Sequence, residues 1–232
     1  MAWRRWFGWG VGVVVALAGL ARSASAQGLQ RFRLSNGLSV VLAPEQGAVG
    51  VNVVVRYEVG QAHDPAGYAG LAHLLEHATF RGSTHLRPLE GVSILGELGA
   101  GYNAVTELES TTFFTELPSA GLETVLWLES ERMGFALGGI DAAGLAAEQR
   151  IVVNELRQRG GALSRQLGKF WLDALYGAAH PFARGKTEVD DVQAVELPGL
   201  QWFYQSTYRP DNATLVLSGN LAASQARGLV EK

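Results

Sequence analysis

The amino-acid sequence predicts an α+β fold: an antiparallel sheet covered on one side by helices. Three observations carry this. Alternating apolar stretches arrive as neighbours, residues 30–43 then 49–59, and again 102–106 then 111–117. Stretches with helical spacing also arrive in succession, over 122–137, 141–159, 163–176 and 198–207. The chain carries 29 glycines, which supply the tight turns that hairpins need. Grouping of this kind, in place of strict strand–helix alternation, points away from a parallel sheet.

The elements follow in order. Residues 1–26 stand apart: Arg4 and Arg5 precede an apolar run over 11–20, too short to span a bilayer comfortably. Ala24-Ser25-Ala26 then offers a small-x-small cleavage site before Gln27. We therefore expect a signal peptide over 1–26 and an exported chain, periplasmic or secreted, with no membrane attachment after cleavage. In residues 30–43, Phe32 and Leu34 alternate with arginines and Asn36-Gly37 marks a hairpin turn. Val51, Val53 and Val55 place one face of a strand over 49–59. A loop over 60–67, with His63 and Asp64-Pro65, leads into a helix over 70–80. Residues 88–98 form a short helix with Val92, Leu95 and Leu98 inward, broken by Gly99-Ala100-Gly101. After the second strand pair and an amphipathic helix over 122–137, Asp141 caps the next helix. The stretch 179–182 reads as a loop, 213–217 as a β-branched strand and 221–232 as a last helix. Neither linker nor internal repeat interrupts residues 27–232, so they read as one domain.

Composition narrows the function. The chain is 47% hydrophobic and 18% charged, the balance of a soluble globular protein. Its net charge is −3, and loss of Arg4, Arg5 and Arg22 with the signal takes it near −6, which gives no support to nucleic-acid binding. There is no cysteine, which excludes disulfides and thiolate metal sites.

The stretch from Gly70 to Phe80 carries the chemistry. His73 and His77 stand at i and i+4, so both imidazoles project from one helix face, and Glu76 shares that face. Leu71, Leu74, Leu75 and Ala78 make the apolar side. Two imidazoles one turn apart suit a single Zn²⁺, and a carboxylate beside them is placed to take a proton from water. The pattern H-x-x-E-H is the inverzincin signature. A third ligand is then required and, without cysteine, is His, Glu or Asp. His63 is a loop histidine that reads as solvated.

The run from Gly70 to His77, followed by Phe80-Arg81-Gly82-Ser83, resembles the zinc-helix signature of the pitrilysin/insulinase family of zinc peptidases, which includes mitochondrial processing peptidase. Three further stretches agree: Gly101-Tyr102-Asn103-Ala104-Val105-Thr106, Glu148 through Glu155, and His180-Pro181-Phe182 with Tyr208 through Ala213. The likeness covers residues 30–232. It implies one Zn²⁺ per chain on His73, His77 and Glu155, with Glu76 acting on the water and Glu148 supporting the site from behind. It places Asn103 and Ala104 on an edge strand that pairs with an extended peptide or unfolded-protein substrate. It also implies that this chain is the zinc half of the enzyme, completed by a second homologous domain or subunit. A non-catalytic structural or interaction subunit is the other fate of this fold, but such relatives usually lose part of the zinc set, which is whole here.

Overall fold

The structure, a computed structural model, describes residues 28–158, 161–177, 179–184 and 189–232. The expected signal peptide, 1–26, lies outside the described residues. Six strands form one sheet: β1 (Gln30–Arg33), β2 (Ser39–Pro44), β3 (Val51–Tyr57), β4 (Gly101–Thr106), β5 (Thr111–Leu117) and β6 (Ala213–Gly219). Their spatial order is β1-β2-β6-β3-β5-β4. The helices are α1 (Leu71–Ala78), α2 (Glu90–Glu97), α3 (Leu122–Phe135), α4 (Ala142–Gln158), α5 (Gly161–Tyr176), α6 (Pro181–Arg184), α7 (Val189–Ala194), α8 (Leu197–Thr207) and α9 (Ala223–Val230).

The fold is α+β with a mostly antiparallel sheet. One pair departs from that: β2 and β6 run parallel, with Val40 opposite Leu215 and Leu42 opposite Leu217. The reason is order of arrival. The last strand enters between β2 and β3 and lies antiparallel to β3. The helical connection before it is long enough to bring it in parallel to β2.

Local chemistry explains the elements. The β1–β2 hairpin turns at Asn36-Gly37, where Asn36 Oδ1 accepts the Leu38 N–H at 3.1 Å and Gly37 has φ +94°. A Cβ at Gly37 would also come within 2.7 Å of the Asp211 side chain, so the position excludes other residues twice over. Along β3, Val51, Val53, Val55 and Tyr57 are buried in alternation, as a sheet with one covered face requires. Leu215 and Leu217 of β6 and Val40 and Leu42 of β2 complete that face. Helix α3 packs on β3, α9 on β2 and α1 on β4. Asp141 caps α4, its Oδ1 accepting the Gly144 N–H at 2.7 Å. Two helices differ from expectation. The stretch around 179–182 turns into α6, with Pro181 in the first helical position. Helix α7 has no counterpart among the predicted elements.

One packing relation matters most. Helix α1 lies against α4, α8 and β4 and is buried on almost every side. Its apolar side is Leu71, Leu74, Leu75 and Ala78, but His73 and Glu76 are buried as well. A short helix that buries imidazole and carboxylate must pair them internally.

Candidate metal centre

Helix α1 begins at Gly70, whose φ of +93° suits glycine and offers no capping side chain. Asp64 does the capping from six residues away. Its two oxygens accept the N–H of Gly70 at 2.6 Å and of Ala72 at 2.8 Å. Asp64 is buried, and burial pushes its carboxyl up from 3.8 to about 7, against the pull of the Ala72, Gly70 and Leu71 N–H groups.

One turn on, the rings of His73 and His77 stand 4.9 Å apart at 75°. Across from them, α4 presents Glu155. Its Oε2 lies 3.5 Å from His73 Nε2 and 3.2 Å from His77 Nε2. Tetrahedral coordination with bonds of about 2.0–2.1 Å sets ligand atoms about 3.3–3.4 Å apart. The two distances from Glu155 to the imidazole nitrogens therefore fall near the spacing that one such ion imposes between a pair of its ligands. Two imidazoles and a carboxylate are also a donor set that suits Zn²⁺. On the same helix the neighbouring Asn154 is exposed.

Glu148, two turns earlier on α4, is buried behind His77. Its Oε2 is 3.5 Å from His77 Nδ1, and its Oε1 is 3.5 Å from Arg81 Nε. His77 thus turns Nε2 to Glu155 and Nδ1 to Glu148. That is the arrangement in which a carboxylate fixes the tautomer and orientation of a metal-bound imidazole. Burial alone would lower the His77 pKa; the hydrogen bond to Glu148 and the charges of Glu76, Glu155 and Glu148 outweigh it and raise it. Glu76, Glu148 and Glu155 thus act together on the His77 imidazole and favour positive charge there.

Glu76 completes the cluster. Among the described residues, His73, Glu76 and His77 hold ligand atoms within 4.8 Å of one another. Glu76 Oε2 accepts a hydrogen bond from Thr106 Oγ1 at 2.6 Å. Thr106 ends β4, the edge strand beside the cluster. Asn103 and Ala104 lie on that strand, opposite Phe114 and Phe113 of β5. Asn103 is exposed, and its Oδ1 accepts the Ala104 N–H at 2.9 Å. His63 is exposed in the loop, where its Nδ1 accepts the Gly60 N–H at 3.1 Å.

The fold therefore brings His73, Glu76, His77, Glu148 and Glu155 together and sets Asn103 and Ala104 on the adjacent edge. Asp64, Arg81 and Thr106 were not singled out from sequence. Asp64 sits too far from Gly70 for a local capping pattern, and Thr106 meets Glu76 only through tertiary packing.

Residues 39–133 match the family model described as Insulinase (Peptidase family M16). That stretch of the chain resembles the insulinase family. The zinc protease PqqE of Helicobacter pylori is 29% identical over 226 residues, covering 94% of this chain and 50% of that protein. The crystal structure of a protease from Helicobacter pylori superposes with a TM-score of 0.79 at 28% identity, over 88% of this chain and 49% of that one. The periplasmic protease PqqL of Escherichia coli has the same fold, with a TM-score of 0.79 at 24% identity over 88% of this chain and 23% of that one. The chain spans about half the length of the first curated insulinase-family relatives it matches.

Proposed function

We propose that this chain is the metal-binding half of a zinc-dependent metalloendopeptidase. The observation that carries the reading is the approach of Glu155 to His73 and His77 at 3.5 and 3.2 Å, near the spacing a tetrahedral ion imposes between a pair of its ligands. In this reading the three residues hold one Zn²⁺ per chain. When bound, the ion supplies Lewis-acid activation of water and of a peptide carbonyl. Glu76, on the same helix face, takes the proton from the attacking water and returns it to the leaving amine. Glu148 holds His77 in the productive tautomer. Asn103 and Ala104 hold an extended peptide against the open edge of β4, as an added strand.

Residues 27–232 form the first of two homologous halves, and a second domain or subunit closes the other side of the substrate. The span of about half of the relatives' length supports this. The segment 1–26 supports export. Among the described residues no helix is long and apolar enough to cross a membrane.

The test is metal analysis and peptide hydrolysis with the complete gene product. Wild type is expected to hold about one zinc per chain. Glu155→Gln loses it. Glu76→Gln keeps it but turns over on the order of 10²–10⁴-fold more slowly, the usual contribution of a positioned general base. Unchanged zinc in Glu155→Gln sinks the ligand set.

A further inference from the structure

The cluster contains one carboxylate more than a three-ligand site needs. Glu76 stands close enough to the imidazole pair for its oxygen, His73 and His77 all to lie within 4.8 Å of one another. If Glu76 swung onto the ion beside Glu155, it would fill the position that catalysis keeps for water. Something must hold it in the role of base.

We infer that Thr106 is that positioning residue: its hydroxyl holds Glu76 off the metal and ties it to the edge strand. The inference rests on the metal-centre reading above. Two observations support it. The first is an asymmetry between the two acids. Glu155 Oε2 faces both imidazoles at 3.5 and 3.2 Å, whereas Glu76 Oε2 is engaged by Thr106 Oγ1 at 2.6 Å. That distance is in the short range found for a hydroxyl on a carboxylate.

The second is a proton inventory. A threonine hydroxyl has one proton. Thr111 donates its own to the Val59 carbonyl at 2.9 Å. Thr111 Oγ1 then sits 3.4 Å from Thr106 Oγ1, across the last paired position of β4 and β5. With Thr111 committed to Val59, Thr111 could only accept from Thr106, at 3.4 Å, and the carboxylate of Glu76 at 2.6 Å is the nearer and stronger acceptor for the Thr106 proton. Glu76 is thereby set by Thr106. Because Thr106 belongs to β4, a peptide that docks on this edge and displaces the strand displaces the base with it. Orientation of the base and seating of the substrate become one event.

The experiment compares Thr106→Val and Thr106→Ser with wild type in the complete gene product, with Co²⁺ in place of Zn²⁺ as a visible reporter of coordination. Valine keeps the β-branched shape and removes the hydroxyl; serine keeps the hydroxyl and removes the methyl. Thr106→Val is expected to bind Co²⁺ with a changed ligand-field spectrum and to lose kcat by about 10²-fold, the scale of a misplaced catalytic group, with KM little altered. Thr106→Ser is expected to keep the wild-type spectrum and most of kcat. A Thr106→Val protein that matches wild type in spectrum or in kcat overturns the inference. So does a Thr106→Ser protein as impaired as Thr106→Val, because the defect would then be one of packing. Failure of wild type itself to take up Co²⁺ overturns the metal centre, a separate result read before any variant is made.

Discussion

Around α1, three carboxylates crowd two imidazoles, and Arg81 reaches one of the three, the buried Glu148. Under the loop that follows α1, two buried carboxylates are matched in place. Arg132 grips both oxygens of Glu129. Its guanidinium also lies over the rings of Phe113 at 4.1 Å and Phe80 at 5.0 Å. Glu131 accepts a hydrogen bond from Ser83 and faces His85 Nδ1 at 3.0 Å. Ser83 Oγ in turn accepts the N–H of His85 at 3.1 Å and of Leu86 at 3.2 Å. Both clusters are interior, and both are acid-rich. They differ in the groups that meet the acids. Arg132, Ser83 and His85 meet Glu129 and Glu131, and that cluster fastens a loop to a helix. Around α1 the acids converge on imidazoles, and in the function proposed above a Zn²⁺ supplies the counter-charge.

Removing a matched partner should have the largest effect on stability. Arg132→Met leaves Glu129 buried without its guanidinium, and losing one half of a buried pair costs about 3–5 kcal/mol. Urea unfolding should show this loss, while the fraction that stays folded keeps its zinc. Loss of metal along with stability would mean that the two clusters are one.

Glu148 stands on the other side of the comparison. Glu148→Gln should weaken metal binding by about 10–100-fold, the range for an outer carboxylate behind a ligating imidazole. Competition against a calibrated chelator measures it. Unchanged affinity would assign Glu148 to Arg81 alone and move it into the matched class.

Asp64 is a third case, balanced by backbone dipoles and not by charge. Burial raises its carboxyl from 3.8 to about 7 in the folded protein. The folded state therefore holds a proton that the unfolded state releases near pH 4. Its contribution to stability is full below that pH and is lost as pH rises towards 7, with a slope of at most about 1.4 kcal/mol per pH unit. Metal-free wild type minus Asp64→Asn, compared by urea unfolding from pH 4 to 8, isolates that slope. A flat difference would show that the N–H groups of α1 fully offset the burial.

What was legible in the sequence was what is local. His73, Glu76 and His77 share a helix face because 3.6 residues make a turn, and no tertiary knowledge is needed to see it. The hairpin at Asn36-Gly37 and the cap at Asp141 are likewise written within a few residues. Glu148 and Glu155 share a face by the same rule, but only family resemblance connected that face to α1. The remainder is set by packing between distant segments. Thr106 lies 30 positions from Glu76, and His85 lies 46 from Glu131, so neither pair leaves a periodic trace. The parallel β2–β6 pairing was also invisible, because strand direction depends on where a late strand finds an open slot.

That slot has a consequence for synthesis. β6 lies between β2 and β3, so without it the sheet is two pieces, β1-β2 and β3-β5-β4. Roughly 170 residues separate the end of β2 from the start of β6. At ribosomal rates of about 5–20 residues per second, the facing edges of β2 and β3 stay unpaired for roughly 10–35 s in each nascent chain. Both edges are rich in valine, a composition that recruits other strands. The newborn chain therefore passes through an interval in which its most adhesive backbone is bare, and a holding chaperone during that interval would serve it more than any catalyst of later folding steps.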